Sequence, residues 1–386
     1  MKGSGGHATA NENMRVLMTG GGTAGHVNPA IAIANTIKEY EKDCEIAFVC
    51  SSLPRDKAQD LVPRAGYEKL YRVNIQPSHK IYDPRNLITL WSMVRSKKEA
   101  REIIKEFQPD VIIGTGGFAC YPVLNAGAEM GIPTLVHESN AIPGKAVLKL
   151  APKIDCVMTN FASSAEMIGR AKRIVNVGNP AVVGQKTVSN TSVAEGYARS
   201  VLSFGGSLGA ETVNMGVCDM LVAIADKYPD TEFYHGAGKR DYEHLKEEFE
   251  KRGLLEKKNV VLVEYIYDMD ARMRRADLVI SRAGAMTISE IALLRKAAIL
   301  IPSPYVAANH QYKNAKALAD KGACRLVQDS ELPDGKLIRE VEELLSSEES
   351  RKALGNAAAE FAKPEANGDI YREIRRVIEE KKDNKR

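Results

Sequence analysis

Short apolar runs alternate along this chain with longer amphipathic and polar stretches, and they fall into two series. Arg15 to Thr19, Glu45 to Cys50, Asp110 to Ile113, Thr134 to His137 and Cys156 to Thr159 make the first. Ser200 to Phe204, Glu232 to Tyr234, Val260 to Val263, Leu278 to Ser281 and Ala298 to Ile301 make the second. Brief, nearly continuous apolar runs read as strands buried on both faces, and the helix-like sequence between them reads as crossovers, so the pattern predicts parallel sheets covered by helices. Each series opens on a strand that runs into glycines, Gly20-Gly21-Gly22-Thr23-Ala24-Gly25-His26 in one and Gly205-Gly206-Ser207-Leu208-Gly209-Ala210 in the other. A second echo links Asp110-Val-Ile-Ile-Gly-Thr-Gly-Gly with Asp277-Leu-Val-Ile-Ser-Arg-Ala-Gly. The chain therefore reads as α/β, two Rossmann-like parallel-sheet domains facing a cleft.

The expected boundaries follow. Residues 1–13 read as a flexible leader, with Met14 as a candidate natural start, and residues 14–178 as the first domain. The linker is placed near Gly178-Asn179-Pro180, residues 179–365 form the second domain and residues 366–386 a charged C-terminal helix or tail, and the highly charged helical sequence from Glu340 to Arg386 is expected to pack along one edge and then fray. A chain of 386 residues exceeds what one core usually organises, which agrees with two domains. The formal charge of +4 is too mild to imply nucleic acid, and six cysteines without CxxC or metal-like spacing read as reduced thiols of a cytosolic protein. No apolar stretch has the length of a membrane span.

The glycine loops carry the chemistry. A strand, a glycine turn and a helix start present bare N–H groups at the positive end of a helix dipole, which suits a phosphate. Ligands of open α/β sheets sit beyond the carboxyl ends of the strands, so two facing domains enclose one crevice suited to a nucleotide. A dinucleotide fingerprint would require an acidic residue closing the second strand, but that strand ends Phe48-Val49-Cys50-Ser51-Ser52. No Asp-x-Asp pair closes a strand, so neither a metal clamp on a diphosphate nor any other cofactor is expected.

The segment Ser281-Arg282-Ala283-Gly284-Ala285-Met286-Thr287-Ile288-Ser289-Glu290, followed by Pro302 and Asn309-His310-Gln311-Tyr312-Lys313-Asn314, resembles the nucleotide-sugar site of the bacterial peptidoglycan N-acetylglucosaminyltransferase family, MurG. The resemblance starts near Arg15 and runs through the helix after Gln311. It includes the first glycine loop with Val27-Asn28-Pro29, Gly114-Thr115-Gly116-Gly117-Phe118, His137-Glu138-Ser139-Asn140, Gly178-Asn179-Pro180 and Gly205-Gly206-Ser207. It implies a GT-B fold and inverting transfer of N-acetylglucosamine from UDP-N-acetylglucosamine to the muramyl 4-hydroxyl of lipid I. It further implies that Glu290 holds the ribose hydroxyls, that Ala285, Met286 and Thr287 lie under the diphosphate and sugar, and that Ser207 contacts phosphate. The backbone at Ile266 would read uracil, Gln311 and His310 would meet sugar hydroxyls, and Asn140 would reach the sugar from the first domain. Thr23, Ala24 and Gly25 are placed with the UDP-sugar contacts. His26 is the expected base, its ordinary pKa suiting proton removal from a hydroxyl, with capping of its own loop as the competing role. The family arginine expected after Gly178-Asn179-Pro180 is missing, since the chain continues Ala181-Val182-Val183-Gly184-Gln185-Lys186.

A lipid acceptor requires access to a membrane surface. Leu87, Ile88 and Trp91, with Lys97 and Lys98 beside them and Lys80, Arg85 and Arg101 nearby, form a candidate helix for peripheral contact with anionic lipid at the cytoplasmic face. An ordinary amphipathic core helix with a solvated basic face has the same spacing. Three other functions share these motifs: transfer to another lipid acceptor, UDP-N-acetylglucosamine 2-epimerisation, and noncatalytic binding of a UDP-sugar.

Overall fold

A computed structural model describes residues 13–76, 86–180, 196–206 and 208–384, apart from the side chains of residues 86–90 and 307. Among these residues seven parallel strands form the first sheet: β1 (Arg15–Thr19), β2 (Glu45–Ser51), β3 (Leu70–Val73), β4 (Val111–Gly114), β5 (Thr134–Glu138), β6 (Cys156–Thr159) and β7 (Ile174–Asn176). Their spatial order is β3-β2-β1-β4-β5-β6-β7. The second sheet contains β8 (Arg199–Phe204), β9 (Thr231–Gly236), β10 (Val260–Val263), β11 (Leu278–Ser281), β12 (Ala297–Leu300) and β13 (Arg325–Leu326), in the order β10-β9-β8-β11-β12-β13. The central strands are buried on both faces, which is why they read as apolar runs. The strands that the apolar pattern does not reveal, β3, β7 and β13, end the sheets and are partly exposed, so polar residues interrupt them.

Both sheets reverse strand order at the same topological place. β1 lies between β2 and β4, and β8 lies between β9 and β11, so successive crossovers depart to opposite sides and leave a crevice at the carboxyl ends. Register brings Thr19 opposite Gly114 and Phe204 opposite Ser281. The two glycine-bearing loops of each half therefore start side by side.

Packing follows the pleat. Val16 and Met18 of β1 point to the face covered by the helix Ala24–Tyr40, where Val27, Ala30, Ile33 and Ile37 are buried. Leu17 points to the other face, against Ile104 and Phe107 of the helix Asn86–Phe107 and Val123 and Leu124 of the helix Cys120–Glu129.

The C-terminal region departs from the expected fraying tail. The helices Lys336–Ser346 and Glu348–Ala359 complete the core of the second sheet, with Leu337, Val341, Leu344 and Leu354 buried there. The chain then crosses back, and the helix Ala366–Asp383 inserts Ile370, Ile374, Val377 and Ile378 into the first domain's core beside Val16, Ile37 and Cys156. These positions recur at i, i+4, i+7 and i+8, one face of a helix. Burying each is worth about 1.5–3 kcal/mol, so together they rival the net stability of a typical domain. Polar contacts fix the helix further: Tyr371 Oη donates to Glu41 (2.6 Å), and Lys381 Nζ donates to both carboxylate oxygens of Asp155 (2.9 and 2.8 Å).

Candidate active site

On the first domain, the loop after β1 and the loop after β4 close on each other. Gly21 N donates to the Gly116 carbonyl at 3.4 Å, and a Cβ on Gly117 would stand 2.1 Å from the Gly21 carbonyl oxygen. Gly116 and Gly117 both hold positive φ, +103° and +88°, a region that glycine occupies without steric cost. Asp56 braces the same loop from beneath. Its buried carboxylate accepts from Gly22 N (2.7 Å), Ala58 N (3.0 Å), Ser51 N (3.0 Å) and Ser51 Oγ (2.7 Å). Sequence reasoning missed Asp56. It lies five residues beyond Ser51, outside every motif of the sequence, and turns back onto the glycines.

His26 lies in the first turn of the helix Ala24–Tyr40, whose N-cap Thr23 makes no side-chain capping bond. Its Nδ1–H donates to the Thr115 carbonyl (3.0 Å), and Thr115 Oγ1 donates to the His26 carbonyl (2.6 Å). With the proton on Nδ1, Nε2 carries the lone pair, the tautomer a general base requires. Burial lowers the imidazole pKa from 6.5, against upward pulls from the Thr115 carbonyl and Asp56. A Cβ on Gly116 would lie 2.6 Å from His26 Nδ1. Gly116→Ala is therefore expected to displace the imidazole and cut turnover by at least about tenfold, with nucleotide binding to the other domain retained. Steady-state kinetics beside UDP titration checks this.

On the second domain, a cavity of 490 Å³ is lined by Ile266, Met286, Thr287 and Glu290, with Asn28 and Ile31 contributed by the first domain. The helix Ala285–Leu293 begins at Gly284, which supplies no side-chain cap, and its first turn has no acidic residue. Its free N–H groups and positive dipole end are thus available to an anion. Ile266 is itself core, its side chain filling the space beside Gly236. The Glu290 carboxyl has no hydrogen-bond partner among the described residues. Burial, then the charge of Asp270, raises its pKa to about 7. An uncommitted acid in a cavity is a binding group awaiting a partner.

A neighbouring cavity of 640 Å³ shares Phe204, Gly206 and Thr287 and adds Gly284 and Gln311. Gln311 Oε1 accepts from Ser303 N (2.8 Å), which fixes the amide and leaves its N–H groups to donate. His310 opens the helix His310–Ala319, and across the domain seam burial raises the pKa of Glu138.

Other expected site residues are engaged at that seam. Asn140 Nδ2 donates to Glu138 (3.1 Å), and Asn140 Oδ1 accepts from Asn314 Nδ2 (3.2 Å), a residue of the other domain. Asn314 Oδ1 in turn accepts from Ala141 N (2.9 Å). Asn179 of the linker donates to the Ala285 carbonyl (3.1 Å) and Ser289 Oγ (3.0 Å) of the second domain. His137 Nε2–H donates to the Gly178 carbonyl at 2.8 Å, with its pKa depressed to about 4 by burial. His26 does not line either cavity. The 490 Å³ cavity meets the face of its helix that carries Asn28, Ile31 and Asn35, and His26 stands on the face turned to Gly116.

The first domain matches the glycosyltransferase family 28 N-terminal domain over residues 16–159, and the second matches the family 28 C-terminal domain over residues 200–369. A UDP-N-acetylglucosamine--N-acetylmuramyl-(pentapeptide) pyrophosphoryl-undecaprenol N-acetylglucosamine transferase from Desulforamulus reducens is 35% identical over 95% of this chain and 99% of its own. The crystal structure of Acinetobacter baumannii MurG superposes with a TM-score of 0.73 at 24% identity, covering 94% of this chain and 99% of that one. The chain belongs to the MurG family of glycosyltransferases. Its two parallel-sheet domains are the GT-B fold. A putative UDP-N-acetylglucosamine 2-epimerase from Listeria monocytogenes also superposes, with a TM-score of 0.65 at 15% identity over 95% of this chain and 97% of that one, which shows that the fold alone does not separate MurG chains from epimerases.

Within the MurG frame, Ser207, Lys80, Arg85 and residues 181–186 lie outside the described residues, as do the side chains of Leu87 and Ile88. The candidate membrane helix is anchored by Ser92, Ser96, Ala100, Ile103 and Ile104, which are buried, and leaves Trp91 79% and Val94 68% exposed. Lys98 is exposed on the same stripe, whereas Lys97 pairs with Glu129 at 2.5 Å, so its charge is already engaged within the protein. No helix among the described residues is long and apolar enough to cross a membrane.

Proposed function

We propose that this chain transfers N-acetylglucosamine from UDP-N-acetylglucosamine to the muramyl 4-hydroxyl of undecaprenyl-diphospho-muramoyl-pentapeptide, with inversion at the anomeric carbon. The observation that carries the reading is the uncommitted Glu290 carboxyl in a cavity with Ile266, Met286 and Thr287, in a chain of this family. Glu290 accepts both ribose hydroxyls, the backbone at Ile266 meets uracil, and the start of the helix Ala285–Leu293 stabilises the charge that grows on departing UDP. Gln311 and His310 bind sugar hydroxyls, and Asn140 meets the sugar once its link to Asn314 is exchanged. His26 takes the acceptor proton at Nε2 while the acceptor oxygen attacks opposite UDP, in a single displacement without an enzyme-bound intermediate.

The acceptor is a membrane lipid, and Trp91, Val94 and Lys98 form the stripe that meets an anionic surface at the cytoplasmic face. Trp91→Glu is expected to abolish cosedimentation with phosphatidylglycerol vesicles while turnover of a short-chain, water-soluble acceptor is unchanged; undiminished cosedimentation would assign the stripe to another role. The activity itself is tested by UDP release from UDP-N-acetylglucosamine with and without a short-chain lipid I analogue. Release that depends on the acceptor, with a disaccharide product, supports the reading. Donor binding without such release returns the chain to epimerisation, a different acceptor or binding alone.

A further inference from the structure

The 640 Å³ cavity is lined by two cationic side chains among the described residues, Arg240 and Arg282, and they are in different states. Arg282 is committed: its guanidinium pairs with Asp329 and donates to Thr212 Oγ1 (2.8 Å) and the Ile301 carbonyl (3.2 Å). Arg240 is largely solvent-facing, and among the described residues its polar contacts are with the adjacent Asp241, Nε to Oδ1 at 2.7 Å and Nη2 to Oδ2 at 3.2 Å. An exposed pair of this kind contributes little to stability, so its exchange for a more highly charged partner is cheap. The loop beneath Arg240 is nonetheless fixed in place. A Cβ on Gly238 would fall 2.0 Å from Gly209 N, and a Cβ on Gly209 would fall 2.6 Å from the Asp241 carboxylate. The backbone that carries Arg240 thus lies in contact with the glycine loop after β8.

We infer that Arg240 is the guanidinium that binds the donor diphosphate in this chain. The assignment rests on the donor-site reading above. Arg240 reaches the phosphates from within the nucleotide domain, so the contact does not depend on the relative position of the two domains. A planar guanidinium offers paired N–H donors to phosphate oxygens, a geometry that lysine does not reproduce.

Calorimetric titration of the full chain with UDP and with uridine tests this. Arg240→Gln is expected to weaken UDP binding about tenfold, the factor for one charge-assisted hydrogen bond, and to leave uridine binding unchanged. Arg240→Lys should recover part of the loss. UDP affinity that Arg240→Gln leaves intact, or equal weakening of UDP and uridine, would overturn the assignment of Arg240 alone. A wild-type chain that binds neither compound would overturn the donor site and this assignment with it.

Discussion

His26→Ala is expected to lower kcat by about 10²–10⁴-fold, the usual contribution of a positioned general base, while affinity for UDP-N-acetylglucosamine stays within about twofold of wild type. The two readouts separate because His26 and the nucleotide cavity belong to different faces and are fixed by different loops. The pH profile adds a second check. Burial holds the His26 pKa below 6.5, so the imidazole is neutral at pH 7 and turnover should be level there. Activity should fall only in more acid solution, as protonation removes the Nε2 lone pair. Loss of nucleotide affinity in step with turnover would instead make His26 a brace of its glycine loop.

Glu290→Gln is expected to weaken UDP by about 10–10²-fold, since charge-assisted bonds to two ribose hydroxyls are replaced by neutral ones. Titration calorimetry across pH gives this prediction its signature. The folded-state pKa is about 7, above the ordinary 4.5, and the cause is burial followed by Asp270. If UDP selects the ionised carboxylate, affinity in the wild type rises with pH up to about 7 and then levels, with proton release on the acid side, whereas Glu290→Gln is flat. Stability runs the opposite way. The folded chain holds a proton that the unfolded chain gives up between pH 4.5 and 7, so this group lowers stability as pH rises through that window. The glutamine variant should therefore melt above wild type at pH 8.

The central strands were legible in the sequence because each is buried on both sides, which leaves a short apolar run bounded by turn signals. The edge strands β3 and β7 were not legible, since Arg72 and Asn176 break their apolar character where solvent is near. In the site, motif residues such as Glu290, Gln311 and His26 could be named from resemblance, yet their supports could not. Thr115 was visible as part of a glycine motif, but its two hydrogen bonds with His26 depend on β1 and β4 being neighbours, a fact of sheet order. Asn314 follows Gln311 in the same motif, but its contact with Asn140 belongs to the way two domains meet. The expected fraying of the last residues failed because Ile370, Ile374, Val377 and Ile378 were hidden among charges, and composition outweighed their spacing.

That last helix sets an order for biosynthesis. The strands of the first domain are translated early, but Ile370, Ile374, Val377 and Ile378, which close one side of its core, follow every strand of the second domain in the chain. The leading domain therefore leaves the ribosome with a face of Val16, Ile37 and Ile113 still lacking its cover until the strands of the second domain have been synthesised. A chain cut short before residue 366 therefore lacks part of the core of the half that bears His26, although every strand of that half is present.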